Sequence, residues 1–323
     1  MTEGVVIPKQ ISFRGTPLDV EEVQRRKIND STMAARSRSK EILLELDLVR
    51  ESTIELFSPR VRDRDDIGVL RDSGSGIIFL DRTDHIDITH YETVKEGAYW
   101  GADDRSGALE TYDGDDMRRG TQFKQDLAGK DVVDIGCGTG GFMDIINPSA
   151  KSVAGVELQA PMRATLERLG YEMYRLPADV PARCFDVATL FHTLEHLTEP
   201  LEVLRETRAV LRPGGTVIIE VPHARDALLE LDAFKAFSLW SEHLILHTRE
   251  SLWKFLENAG FRDIAVEGYQ RYPLSNHIGW LLTGLPGGQK KFSDFDKDGA
   301  ADAYSRLLAE RDRTDTLIAT ARV

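Results

Sequence analysis

The stretch "VVDIGCGTGGF", residues 132–142, decides how this chain is read. An apolar run opens at Asp131, and glycines then stand at positions 136, 138, 140 and 141. A short apolar run of this kind reads as a buried strand. Glycines directly after it permit a tight turn and let a ligand approach the backbone. A helix starting there would point its free amides at that ligand, the arrangement of a nucleotide-type site on the first strand of an α/β sheet. Gly136, Gly138 and Gly141 satisfy G-x-G-x-x-G, a spacing that also suits a dinucleotide-dependent oxidoreductase. Glu157, ending the next apolar run, is expected to hold ribose hydroxyls in either case.

Outward from this stretch the pattern is regular. Strand-like runs occupy 131–136, 152–157, 185–191, 216–222 and 261–270. Between them lie amphipathic segments. "PLEVLRETRAVL" places Leu201, Leu204 and Leu211 on one helical face, with Thr198 as the expected N-cap and "RPGG" (212–215) as the stop. "TRESLWKFLENAGF" has Thr248 as its cap and Gly260 at its end. Strands alternating with helices imply βαβ units, hence a doubly wound, mostly parallel α/β sheet from about residue 116 to 323. Residues 1–115 read as an N-terminal accessory, substrate-side region. Within it, residues 19–57 are expected to be helical around "EILLELDLV", with Arg25, Arg26 and Lys27 on a solvated face. "IGVLRDSGSGIIFLD" (67–81) reads as two short strands around a Ser/Gly turn.

Bulk properties narrow the function. With 323 residues, 41% apolar and 29% charged, the chain can bury a sizeable core. A net charge of -13 argues against nucleic acid as the main partner. Cys137 and Cys184 are the only cysteines, which excludes a disulfide framework and suits a reducing compartment. No leader-like N-terminus and no apolar run near the ~20 residues of a membrane span are seen, so a cytoplasmic protein without membrane contact is expected.

The run D-I-G-C-G-T-G from Asp134 to Gly140 resembles the first motif of class I S-adenosylmethionine (SAM) dependent methyltransferases. "GVELQ" (155–159) resembles that family's second motif. "LPADVPARCFDVATLFHTLEHLTEP" (176–200) resembles its adenine-side loop and fourth strand, and "LRPGG" its approach to the fifth. The resemblance implies a Rossmann-like, seven-stranded sheet with a reversed last strand, for which "TDTLIATARV" (314–323) is suited. It implies SAM as cofactor, bound by Asp134, Gly136, Gly138 and Gly140, with Glu157 on the ribose and Asp179 toward the adenine. The run "WSEHLILHTRESL" (240–252) resembles that of sugar-nucleotide C-methyltransferases, whose Glu-His pair falls on Glu242 and His243. Their cysteine zinc module has no counterpart here. The expected function is methyl transfer to a small-molecule acceptor in sugar metabolism, such as a nucleotide-linked sugar. A dinucleotide-dependent oxidoreductase and a non-catalytic SAM-binding partner protein are the alternatives.

A methyl transfer needs the acceptor held in line with the donor, and a base if the acceptor carries a proton. His243 is the expected base, with Glu242 orienting its ring; His192 and His223, at two strand ends, follow it. Arg118 and Arg119 are expected to clamp a phosphate or carboxylate, and Tyr99 and Trp100 to wall the pocket. "HTLEH" (192–196) matches H-x-x-E-H, a zinc-peptidase pattern, but its first histidine follows a buried strand directly. "DFDKDG" (294–299) starts like a calcium loop but has Ser305 where the bidentate glutamate belongs. No metal is therefore expected.

Overall fold

The computed structural model describes residues 37–92 and 105–323, all within one compact unit. Eleven strands are named in chain order. They are β1 Ile54–Ser58, β2 Val69–Asp72, β3 Ile78–Leu80, β4 Asp131–Ile135, β5 Ser152–Val156, β6 Glu172–Tyr174, β7 Phe185–Phe191, β8 Leu211–Pro222, β9 Ile245–Leu246, β10 Arg262–Tyr269 and β11 Thr316–Arg322. Seven of them form one sheet in the order β10-β11-β8-β7-β4-β5-β6. The pairs β4–β5, β5–β6, β4–β7 and β7–β8 are parallel, and β11 runs antiparallel to both β8 and β10. This is the doubly wound sheet with a reversed strand that the sequence implies. The winding changes direction beside β4, so the crevice at the carboxyl ends of β4 and β7 is where such a sheet binds ligands.

The principal helices are α1 Arg38–Glu45, α2 Arg105–Gln122, α3 Gly141–Ile146, α4 Ala160–Arg168, α5 Pro200–Val210, α6 Asp232–Ser238, α7 Arg249–Asn258, α8 Leu274–Thr283 and α9 Ala300–Glu310. Every residue of β4 is buried, and its alternation feeds two cores. Val133 and Ile135 join Leu190, Ile219 and Leu317 against Leu204 of α5 and Phe255 of α7. Val132 joins Val187, Ile218 and Ile318 against Phe142 and Met143 of α3.

Several local expectations shift. Residues 19–36 lie outside the described residues. After them, helix α1 stops at Glu45, because Asp47 turns the chain at φ 55° and buried Val49 leads toward β1. The helical reading of 46–57 is therefore corrected. At α5 the cap position is Glu199 rather than Thr198; no side chain caps it there, and the Glu199 carboxylate instead receives the Arg38 guanidinium at 2.7 and 3.0 Å. At α7 Thr248 caps as expected, accepting from the Ser251 amide. "RPGG" lies inside the long strand β8, where Gly214 has φ 80°.

The crossover from β8 to α7 matters most for the site. It carries α6 and then β9, which pairs antiparallel with β3. A second sheet, β1-β2-β3-β9, is thus completed by a segment from the large sheet's own crossover. Ile42, Leu43, Ile77 and Phe79 share the core of Val221 and Leu252.

Candidate functional site

A cavity of about 660 Å³ opens at the carboxyl ends of β4, β5, β7 and β8. One end is the glycine turn. Gly136, Gly138 and Gly140 all have positive φ (76°, 53° and 75°), a conformation that costs any residue with a Cβ. At Gly136 the space is closed as well, since a Cβ would stand 2.5 Å from the Thr193 hydroxyl. Helix α3 begins directly after Gly140. Glu157, 8% exposed at the end of β5, accepts from the Gly138 amide at 3.0 Å and the Gln159 amide at 2.9 Å. It therefore ties the turn to the next strand while lining the cavity. Burial raises its carboxyl above the usual range. Asp134, on β4, accepts from the Thr189 hydroxyl at 2.6 Å, and burial pushes it up to about 7.

The other end of the cavity is aromatic. Phe234, Phe237, Trp240, Tyr272 and Trp280 line it together with Leu228 and Leu229. His243 lies here, in the crossover beside Trp240. Its ring meets His196 edge-to-face at 5.0 Å and Trp240 at 5.6 Å. Burial, helped by neighbouring His196, lowers its pKa to about 3, so the ring is neutral. His223 also lines the cavity, but it is 1% exposed and its Nδ1 donates to the Thr314 carbonyl at 2.9 Å. Burial lowers its pKa to about 4.

His192 is held tightly. It sits at φ 51°, and its Nδ1 donates to Glu195 Oε1 at 3.0 Å. Its Nε2 faces Glu220 at 3.3 Å and Arg271 at 2.8 Å. Burial alone would lower its pKa; hydrogen bonds to Glu195 and Glu220 outweigh burial and raise it. Glu242 does not orient His243: its Oε1 meets His90 Nε2 at 3.0 Å, and it does not line the cavity.

Arg118 and Arg119 do not form a substrate clamp either. Both guanidiniums are drawn to Glu220, fully buried on β8, at 2.8 Å each. A carboxylate in that place must be neutralised by neighbours, and these cations do so. Arg118 lies off the cavity. Asp179 is exposed and accepts from the Leu176 amide at 3.0 Å, also off the cavity. Tyr99 and Trp100 lie outside the described residues.

A family described as a methyltransferase domain matches residues 112–266, the stretch that carries the turn, Glu157 and the histidines. Residues 112–266 of this chain carry a methyltransferase domain. The cofactor of that domain is SAM. Among relatives, the ubiquinone biosynthesis O-methyltransferase of Pseudomonas aeruginosa (strain LESB58) is 30% identical over 152 residues, 43% of this chain and 64% of that protein. The tRNA U34 carboxymethyltransferase of Marinobacter nauticus is 28% identical over 162 residues, 44% of this chain and 46% of that one. The chain spans about half the length of the curated relatives it matches, from 44% to 64% in these and a Stutzerimonas stutzeri relative. A SAM-dependent methyltransferase structure from Archaeoglobus fulgidus aligns with TM-score 0.45 at 19% identity, covering 68% of this chain and 95% of that one.

The site of this methyltransferase domain contains residues the sequence reading did not single out. Glu220 is the hub for two arginines and His192; an acid inside the apolar run "TVIIEVP" was its signal. Asp116 and Arg271 line the cavity from α2 and from the turn after β10. Arg271 pairs with Asp115 and so ties that turn to α2. Glu195 is fully buried, and the bond from His192 and the charges of nearby histidines outweigh burial to hold its carboxyl down at about 2. No helix among the described residues is long and apolar enough to cross a membrane.

Proposed function

We infer that the protein transfers a methyl group from SAM to a small-molecule acceptor seated in the aromatic end of the cavity. The observation that carries this is the continuity of one cavity from the glycine turn and Glu157 to His243, Trp240 and Trp280. The residues at the turn fit SAM. Glu157 keeps lone pairs for two ribose hydroxyls after serving two amides. Asp134, Gly136, Gly138 and, at the start of α3, Gly141 line the stretch toward β7, while Gly140 lies off the cavity; Leu158, Leu176 and Pro177 supply an apolar slot. Bound SAM supplies an electrophilic methyl carbon; the chain supplies position and exclusion of water.

The aromatic lining favours an acceptor with an apolar or aromatic body over a nucleotide-linked sugar. Arg119, Arg175 and Arg271, which line the cavity, are each paired with a carboxylate: Glu220, Glu92 and Asp115. A diphosphate would have to compete with those partners. The region before residue 115 contributes Arg62 and Tyr91 to the lining, which supports its role on the acceptor side. His243 lines the aromatic end of the cavity beside His196 and Trp240, with a neutral ring. No hydrogen bond to either of its ring nitrogens is found among the described contacts, which leaves them open to a ligand or a substrate proton, although burial lowers the ring's own pKa.

The test is calorimetry with S-adenosylhomocysteine, followed by transfer from methyl-labelled SAM into an apolar metabolite extract and into a nucleotide-sugar fraction. Saturable binding with label entering the apolar extract supports the reading. Binding of a nicotinamide dinucleotide instead, or no saturable binding of either, refutes it.

A further inference from the structure

We propose that Glu195, His196 and His243 hold a first-row transition cation, Zn²⁺, Mn²⁺, Fe²⁺ or Co²⁺, at the wall of the acceptor chamber. The proposal rests on the reading that the aromatic end of the cavity takes the acceptor. Each of the three residues offers one ligand atom, a carboxylate oxygen or an imidazole nitrogen, and these atoms lie within 4.8 Å of one another. Metal–ligand bonds of about 2.0–2.1 Å put ligand atoms roughly 3–4 Å apart, so closing the site asks for ring rotations of about an ångström.

A second, independent observation points to a ligand. Glu195 is 0% exposed, and its Oε2 is buried without a partner. His196 Nδ1, on a side chain only 13% exposed, is likewise buried and unpartnered. Folded proteins leave few such atoms, and an ion at the cluster is among the standing explanations. The surroundings are those of an oriented ligand set. Glu195 Oε1 is fixed by His192 Nδ1, which leaves Oε2 to point elsewhere. The Glu195 carbonyl accepts from the Leu244 amide at 2.8 Å, which locks the His243 segment to the loop after β7. The Tyr91 hydroxyl donates to the His196 carbonyl at 3.3 Å.

The donor set selects the cation. Two imidazoles and one carboxylate suit borderline transition metals, whereas Mg²⁺ and Ca²⁺ prefer all-oxygen shells. Three protein ligands leave coordination positions open, as in catalytic sites. His196 and His243 line the cavity, so the open side faces the chamber, where an acceptor oxygen can complete the shell. A coordinated nitrogen of His243 holds no proton. In this assignment the cation, not the imidazole, activates the acceptor. The H-x-x-E-H motif is thereby used in part: Glu195 and His196 are ligands, and His192 positions Glu195.

The experiment uses the tag-free full chain after dialysis against a chelator. Co²⁺ is followed by its visible absorption, and Mn²⁺ and Zn²⁺ by calorimetry; S-adenosylhomocysteine binding is measured on the same samples. One equivalent of metal is expected. His243→Asn and Glu195→Gln should weaken it by more than about a hundredfold, and His192→Asn by about 10–100-fold, as outer partners of ligands do. His243 is partly exposed, so His243→Asn, with S-adenosylhomocysteine binding intact, decides the matter if the buried Glu195→Gln variant does not fold. No saturable metal binding, or equal binding by His243→Asn, overturns the site and leaves His243 as a base. Loss of S-adenosylhomocysteine binding in the unaltered chain instead overturns the methyl-transfer reading itself.

Discussion

Replacing Glu157 with alanine separates the two tasks assigned to it. In the structure its carboxylate accepts from the Gly138 amide at 3.0 Å and the Gln159 amide at 2.9 Å, both buried. Deleting the acceptor leaves two donors unpaired at about 1–3 kcal/mol each, so the variant should lose roughly 2–6 kcal/mol of stability in urea unfolding. Toward SAM, two charge-assisted bonds to the ribose are removed, each about 1.5–3 kcal/mol, where ~1.4 kcal/mol is tenfold in affinity. Calorimetry with S-adenosylhomocysteine should therefore show at least about tenfold weaker binding in a sample whose circular dichroism shows it folded. Glu157→Gln keeps one acceptor oxygen and the shape, and should fall between. A folded Glu157→Ala variant with unchanged affinity would refute the ribose assignment. Stability changed by less than about 1 kcal/mol would refute the claim that the carboxylate braces the turn.

Glu220→Gln should cost about 3–5 kcal/mol, because it leaves buried Arg119 and half-buried Arg118 without their common anion; a loss below ~1 kcal/mol in urea unfolding would contradict the hub role. Gly136→Ala, which combines φ 76° with a Cβ 2.5 Å from the Thr193 hydroxyl, should weaken S-adenosylhomocysteine binding more than about tenfold, and unchanged calorimetry would count against the geometry. Asp134 has its pKa raised from 3.8 to about 7, so its ionisation opposes folding: the penalty is absent below pH 3.8, grows as pH rises through this window and is complete above 7. Measured as unfolding free energy without cofactor, Asp134→Asn should gain on the unaltered chain by up to roughly 4 kcal/mol between pH 4 and pH 8, at ~1.36 kcal/mol per unit, and a constant difference would show that Asp134 ionises freely.

The large sheet was readable because its signal is local. β4, β5, β7 and β8 are apolar runs ended by turn residues, and the Thr248 cap and the glycine turn are set by chemistry within a few residues. What failed to show was either short or held by distant partners. β9 has two residues and exists because β3 lies beside it. β1 falls in a stretch that reads as helix, because its strand state depends on pairing with β2 while its own sequence alternates weakly. Thr198 looked like a cap by residue type, but Pro200 opens the helix after Glu199, whose side chain is occupied by Arg38.

At the site the division follows the same physics. Backbone-defined features, the turn and Glu157 at a strand end, are placed by position along the chain. Ionic side chains are placed by burial and by whichever opposite charge lies near, and neither is visible in one dimension. Arg118 and Arg119 looked like a free anion clamp because Glu220 is about a hundred residues away in sequence, yet it is the nearest buried charge. Glu242 and His243 are neighbours in the chain, but they sit in a turn closed by the His243 amide donating to the Trp240 carbonyl, and their side chains part: Glu242 meets His90 while His243 meets His196. The crossover that carries β9 decides this outcome. By pairing with β3 and binding the Glu195 carbonyl through Leu244, it brings His243 against the loop after β7. A substitution that breaks that pairing should therefore disturb His243 and the acceptor end while leaving the cofactor turn, built on β4 and β5, in place.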